Sequence, residues 1–459
     1  MLPAATGVGI AEIGLYQGVQ VPLMVGGAEG VRTAPVIVGR DALMRVHLAP
    51  GDGFEPREIV VRVEVTAGDQ KQTFEQKGTI SAASNVADLG TTANLQLPGS
   101  AISEGATYSV SLLEATPGAT HAGDASGARW PAEGAQPLGA ERTNEVQRVV
   151  VVPIQYMGDG SGRLPDTSES VLERLRAHMF ARYPTPRVEI SVGAPLAVAT
   201  KLSPTSGAAW QALTNAVIKR RAADAPAKDV YYYGLIAPTA SFGSFCGGGC
   251  IAGLTVTQNG PQPAELRVST GLGFGDDGSD ETFVHEIGHA HGLKHAPCSQ
   301  FGGIQDVDAK YPHKGAVIGV YGYDLEAGQL KPPSKWVDMM SYCEPTWISD
   351  FHFAKLAREL QRVTAGARIV PPRHAPKRWR LVSLDAEGAT LGDSIPASDL
   401  PTGEPVAVTL LDATGARLRT VTGFAHGWDH AQGGLVLVPD ADDAAGVRVS
   451  PLPRRPSAD

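Results

Sequence analysis

Short alternating runs of apolar and polar residues dominate the first third of the chain. In "REIVVRVEVTA" nearly every second residue is apolar, the period of a strand with one face buried. "PVIVGRDALMRVHLAP" and "TYSVSLLEA" read the same way, and no run of helical period and useful length interrupts them. Residues 1–145 therefore predict a β-sandwich-like domain. At Val146 the texture changes. "VQRVVVVPIQY" is a near-continuous apolar strand, the kind buried on both faces. "SESVLERLRAHMFARYP" carries Val171, Leu172, Leu175 and Met179 at helical spacing. "RVEISVG" then reads as a strand, "GAAWQALTNAVIKRRAA" as a helix, "DVYYYGLIAP" and "AELRVST" as strands, and "SDFHFAKLARELQRV" as a later helix. This alternation over 146–366 predicts an α/β domain. The linker "GARIVPPRHAPKRWR" follows, and beyond it "RWRLVSLDA", "EPVAVTLLDATGARLRTVTG" and "GGLVLVPD" return to strands and turns. Residues 367–459 thus predict a smaller β-sandwich-like domain, expected to pack on the central one rather than to bind glycans by itself.

A chain of 459 residues exceeds one ordinary domain, and 42% hydrophobic with 19% charged residues suits a globular, multidomain protein. The net charge of −9 and the lack of a long basic run argue against nucleic-acid binding. No stretch approaches the roughly 18 apolar residues of a membrane span. A monomer is expected.

Chemistry concentrates in "ETFVHEIGHAHGLKHAPC", Glu281 to Cys298, which holds four of the twelve histidines. On a helix His285 and His289 stand one turn apart on the same face, a spacing that lets two neutral imidazoles bind one Zn²⁺. Glu286 is free to act as general base toward a water at that metal. Gly292 can end the helix through a positive φ and turn His295 back as a third ligand. His291 lies on nearly the opposite face and is assigned to packing. The acidic run "GDDGSDE", Gly275 to Glu281, is compatible with a calcium site, but reads more simply as an approach to the helix with Ser279 or Asp280 as N-cap.

The pattern H-E-x-x-H-x-x-G-x-x-H resembles that of the metzincin zinc endopeptidases. Their second mark, a Met-turn, is matched by Met340-Ser341-Tyr342 within "WVDMMSYCEPTW". The resemblance spans about Val146 to Gly366. It implies an α/β metzincin-like catalytic domain, one catalytic zinc on His285, His289 and His295, and Met340 as the apolar floor of the site. It also implies a role for Tyr342 as a fifth ligand or as a donor to the oxyanion. "KHAPC", "IGVYGYD" and "MSYCEPTWISDFHF" are similar to large secreted bacterial metalloproteases, including the StcE-like, mucin-cleaving group. Two departures stand out: Ala296 follows the third histidine, and His291 fills a position that is often apolar.

Four cysteines bear on the compartment. "CGGGC" is flexible enough for a Cys246–Cys250 loop, and the resemblance places Cys298 and Cys343 on either flank of the zinc site, hence a second disulfide. Such bonds imply an oxidising, extracellular location. The first twenty residues lack a basic segment followed by an apolar one, so a natural export signal is expected to be missing from this sequence.

The expected function is a secreted zinc metalloendopeptidase acting on proteins or mucin-type O-glycoproteins. Trp336, Trp347, Tyr321, Tyr323 and His352 are expected either to line the cleft for sugar faces or to fill the lower core, and the loop "YGYDLEAGQLKPPSKW" to border an open cleft. Other readings are a general endopeptidase without glycan dependence, an inactive protease-like module that binds glycoprotein, and an amidase acting on something other than protein.

Overall fold

The computed structural model describes residues 2–258, 262–298, 306–367, 377–385, 387–397 and 401–449. Much of the predicted linker, 368–376, lies outside the described residues. The architecture is β-rich and multidomain, with few helices and several separate sheets.

The N-terminal segment folds as two antiparallel sheets. One joins Val8–Tyr16, Gln20–Val25, Ala28–Glu29, Ala42–Pro50 and Ala93–Leu97. The other joins Arg57–Ala67, Gln70–Ile80, Thr107–Glu114 and Arg129–Trp130. Alternation does what it predicts: Ile59, Val61, Val63 and Val65 are buried in one core with Ile13, Leu15, Val46 and Leu48 of the facing sheet.

The central segment begins with β1 (Gln147–Tyr156), which is flanked by parallel partners β2 (Val188–Val192) and β3 (Val230–Ile236). Helix α1 (Glu169–Arg182) connects β1 to β2, and α2 (Gly207–Asp224) precedes β3. Next come β4 (Gly253–Thr257) and β5 (Val268–Leu272). β5 lies parallel to β3, whereas β4 runs antiparallel on the outer side of β5. Helix α3 (Asp277–Ala290) follows β5 directly, and α4 (Asp350–Ala367) closes the segment.

The C-terminal strands are β6 (Lys377–Leu384), β7 (Ala389–Ala397), β8 (Glu404–Leu411), β9 (Arg417–Trp428), β10 (Gly434–Pro439) and β11 (Gly446–Val449). They continue the central sheet: β9 pairs antiparallel with β4, through Val256↔Trp428 and Thr257↔Gly427, in one twelve-stranded sheet. A shared core joins Trp379, Leu381, Trp428 and Leu437 to Val152, Trp210, Leu254 and Val256. No helix among the described residues is long and apolar enough to cross a membrane.

Two disulfides join Cys246 to Cys250 and Cys298 to Cys343, with Cα separations of 4.9 and 6.0 Å. The loop expected to border a cleft does otherwise. Gly322–Asp324 and Gln329–Lys331 form a hairpin docked on the N-terminal sheets, with Tyr323 N–H donating to Gly18 O and its ring meeting Tyr16 edge-on. The aromatic group follows the packing alternative. Trp347, Tyr323 and His352 are buried, and the Trp336 ring meets Trp347 edge-on at 6.3 Å. Apolar rings gain more from this core than from an open surface.

Candidate metal centre

Helix α3 starts earlier than expected. Its N-cap is Asp276, whose carboxylate accepts from Ser279 N–H at 3.0 Å, rather than Ser279 or Asp280. Those two residues lie inside the first turn. Asp280 instead pairs with Arg174 of α1 at 2.9 Å, so the acidic run serves as cap and helix anchor. Tyr183, just past α1, donates its hydroxyl to Val284 O at 2.7 Å and ties the two helices again.

The helix ends as the glycine predicts. Gly292 has φ +82°, Gly292 N–H donates to His289 O, and Leu293 N–H donates to Gly288 O. This pair of bonds is the glycine-terminated Schellman motif, and it reverses the chain after α3. His295 then returns beside the helix. Its backbone N–H donates to Asp306 O, and Ala296 N–H donates to Met340 O at 2.8 Å.

The three predicted ligands converge. His289 Nε2 lies 3.1 Å from His285 Nε2 and 3.0 Å from His295 Nε2. Tetrahedral zinc, with Zn–N of about 2.0–2.1 Å, needs nitrogens roughly 3.3 Å apart. The other ring nitrogens of two of these residues are tied to carbonyls: His285 Nδ1 donates to Met339 O at 2.8 Å and His289 Nδ1 to Leu293 O at 2.9 Å. That fixes both tautomers with the Nε2 lone pairs facing inward. Burial also holds His285 down to about 3 and His289 well below the ordinary histidine value, so both rings stay neutral. Converging lone pairs repel one another unless a cation sits among them, and the donor set suits a borderline metal such as Zn²⁺.

Glu286 does not join this cluster as a fourth helix ligand. Its Oε2 lies 2.6 Å from Thr255 Oγ1, and its backbone carbonyl accepts from Ser269 Oγ at 2.9 Å. Burial pushes its carboxyl up to about 7, against the pull of hydrogen bonds from Asp429 and Thr255. Gly253 of β4 permits this placement, since a Cβ there would stand 2.5 Å from the Glu286 carboxylate. Met340 is fully buried against α3 near Gly288. His291 points away. It stacks on Tyr231 at 4.1 Å and shares a hydrogen bond of 2.9 Å with that hydroxyl.

Two further residues enter from the C-terminal domain, and reading the sequence did not find them. The turn between β9 and β10 brings Asp429 and His430 into the centre. Asp429 Oδ1 accepts from Thr255 N–H at 3.0 Å, and Oδ2 faces His289 Nε2 at 3.7 Å. Burial first, and the neighbouring Glu286 charge second, raise the Asp429 carboxyl well above its ordinary value. His430 Nε2 lies 3.2 Å from Glu286 Oε1, while Tyr342 OH lies 2.5 Å from His430 Nδ1 and the two rings stack. The dipeptide Asp429-His430 stands alone in "GWDHAQGG", and its only signal is a histidine in a turn between apolar strands.

Residues 266–353 match the family model of Peptidase M66. The matched segment covers β5, α3, the returning His295 and the Met340 turn, and it supports a metallopeptidase. No curated protein matches the chain.

Proposed function

We propose that the chain is a zinc-dependent metalloendopeptidase of metzincin type. The observation that carries this reading is the convergence of three imidazole Nε2 atoms, 3.0–3.1 Å apart across His289, beside a buried glutamate. His285, His289 and His295 would hold the ion. When bound, zinc supplies Lewis acidity, which polarises a carbonyl and lowers the pKa of water toward about 7. Glu286 takes the proton of the attacking water and returns it to the leaving amine, a task suited to a carboxyl pushed up to about 7. Thr255 holds one oxygen of that carboxyl, Oε2, and leaves Oε1 3.2 Å from His430 Nε2. Tyr342 donates to the oxyanion once its hydroxyl leaves His430. Two disulfides support an exported protein.

The resemblance to the StcE-like group extends the reading to mucin-type O-glycoproteins, but the buried aromatic residues lend it no further support. Elemental analysis of the purified chain tests the proposal: one zinc per chain is expected, lost in His289→Ala and kept in His291→Ala. Absence of stoichiometric zinc after reconstitution would overturn it. Incubation with casein and with a mucin-like protein, before and after removal of O-glycans, then sets the substrate class.

A further inference from the structure

The three-histidine reading needs neither Asp429 nor His430, yet the fold delivers both. Ring-centroid distances show how closely His430 joins the cluster. Among His285, His289 and His295 they are 4.8, 5.3 and 4.5 Å. From His430 to the same three rings they are 5.3, 5.7 and 5.0 Å. The fourth imidazole therefore completes a near-regular tetrahedron of rings. One nitrogen from each of the four lies within 4.8 Å of the others. Tyr342 occupies His430 Nδ1, which leaves Nε2, 3.2 Å from Glu286 Oε1 and 3.6 Å from Asp429 Oδ2, as the nitrogen open to a metal.

The turn is held firmly. Trp428 is buried in the core shared with the central segment, and Gln211 Nε2 of α2 donates to Gln432 O at 3.0 Å. Asp429 N–H donates to Thr255 O at 3.3 Å, while the Asp429 side chain accepts from Thr255 N–H. The outward edge of β4 is thus paired with β9 at Val256 and Thr257 and capped by Asp429 at Thr255. That edge runs past Glu286, and an extended peptide brought to Glu286 would pair with the same backbone groups.

We propose that His430 is a fourth metal ligand supplied by the C-terminal domain, enclosing the ion in four imidazoles and holding the resting chain latent. The inference rests on the zinc reading above. A catalytic zinc keeps one position open, whereas four protein ligands close it. One turn fills both the position at the metal and part of the peptide's edge, so cleavage requires that turn to withdraw.

The test uses the full chain with His430→Asn and His430→Ala. Asparagine keeps a polar partner near Tyr342 while removing Nε2. Zinc affinity is measured by competition with a chromophoric chelator, and the visible spectrum is recorded with Co²⁺ in place of zinc. Both variants are expected to lose affinity at least about tenfold. Their cobalt bands should weaken as solvent enters the shell, and at saturating zinc both should cut casein faster than the parent. Unchanged affinity and an unchanged cobalt spectrum would overturn the proposal. Slower cleavage with both of those unchanged would also overturn it, by making His430 a partner of Glu286 instead. A parent that takes up no metal overturns the peptidase reading along with this one, whereas a metal-loaded parent with unaltered variants overturns this one alone.

Discussion

The two ends of the chain are both built of strands, yet they attach to the middle differently. The N-terminal strands form sheets of their own, while their core runs on into the central segment through Phe283, Ile287 and Met340. They grip the central segment through the fully buried Arg40, whose guanidinium donates to Gln17 O, Thr185 O and Phe180 O at 3.0, 2.7 and 2.5 Å. Trp347 Nε1 reaches back to Gly18 O at 2.8 Å. The C-terminal strands instead extend the central sheet and place two side chains inside the candidate metal centre. One end packs behind the helix that carries the histidines, and the other contributes side chains to the site itself. Damage of similar size at the two attachments should therefore have different chemical consequences.

The sharpest contrast comes from Trp428→Ala against Arg40→Ala. Emptying the Trp428 pocket should cost about 3–5 kcal/mol of stability. It should also weaken zinc binding, because Asp429 and His430 follow directly. Arg40→Ala leaves three carbonyls without their donor and should cost about 3 kcal/mol while leaving zinc affinity as it was. Denaturant unfolding and chelator competition on both variants check this. Equal loss of zinc in the two would break the distinction between support and site.

A smaller effect is expected at Asp338, beneath the centre, which belongs to neither end. Its carboxylate binds His352 Nδ1 at 2.7 Å, Met340 N–H at 2.8 Å and Ser349 N–H at 2.9 Å. Burial alone would raise this carboxyl, but His352 and the hydrogen bonds hold it below its ordinary value. A depressed folded pKa stabilises the fold above the unfolded value of about 3.9, and that share is lost as pH falls through the lower folded value. Asp338→Asn should thus be less stable than the parent by about 1–2 kcal/mol at neutral pH. The gap should narrow below pH about 4. Unfolding curves at neutral and acid pH measure it, and a gap that widens in acid would reverse the assigned sign.

The same contrast explains what could be read from the sequence. His285, Glu286, His289, Gly292 and His295 sit within eleven residues, so helix geometry and one glycine turn fix their mutual placement. Strand runs such as Arg57–Ala67 were legible for a similar reason, since alternation is local. His430 was not legible. It lies 88 residues past Tyr342, and only the pairing of β9 with β4 brings it to the centre. The N-cap falls at Asp276 and not at Ser279 or Asp280 because three acidic residues and a serine compete over Asp276–Asp280, and tertiary pairing with Arg174 claims Asp280. Trp347 and Tyr323 were ambiguous because burial of a ring depends on partners from the N-terminal sheets, which composition does not reveal.

In the proposed peptidase Glu286 of α3 accepts the proton of water without binding the metal. Glu286→Gln tests it most directly, with zinc content and casein cleavage measured on the same preparation. The variant should hold one zinc per chain and lose cleavage by about 10²–10⁴-fold. Cleavage equal to that of the parent with zinc retained would contradict the account.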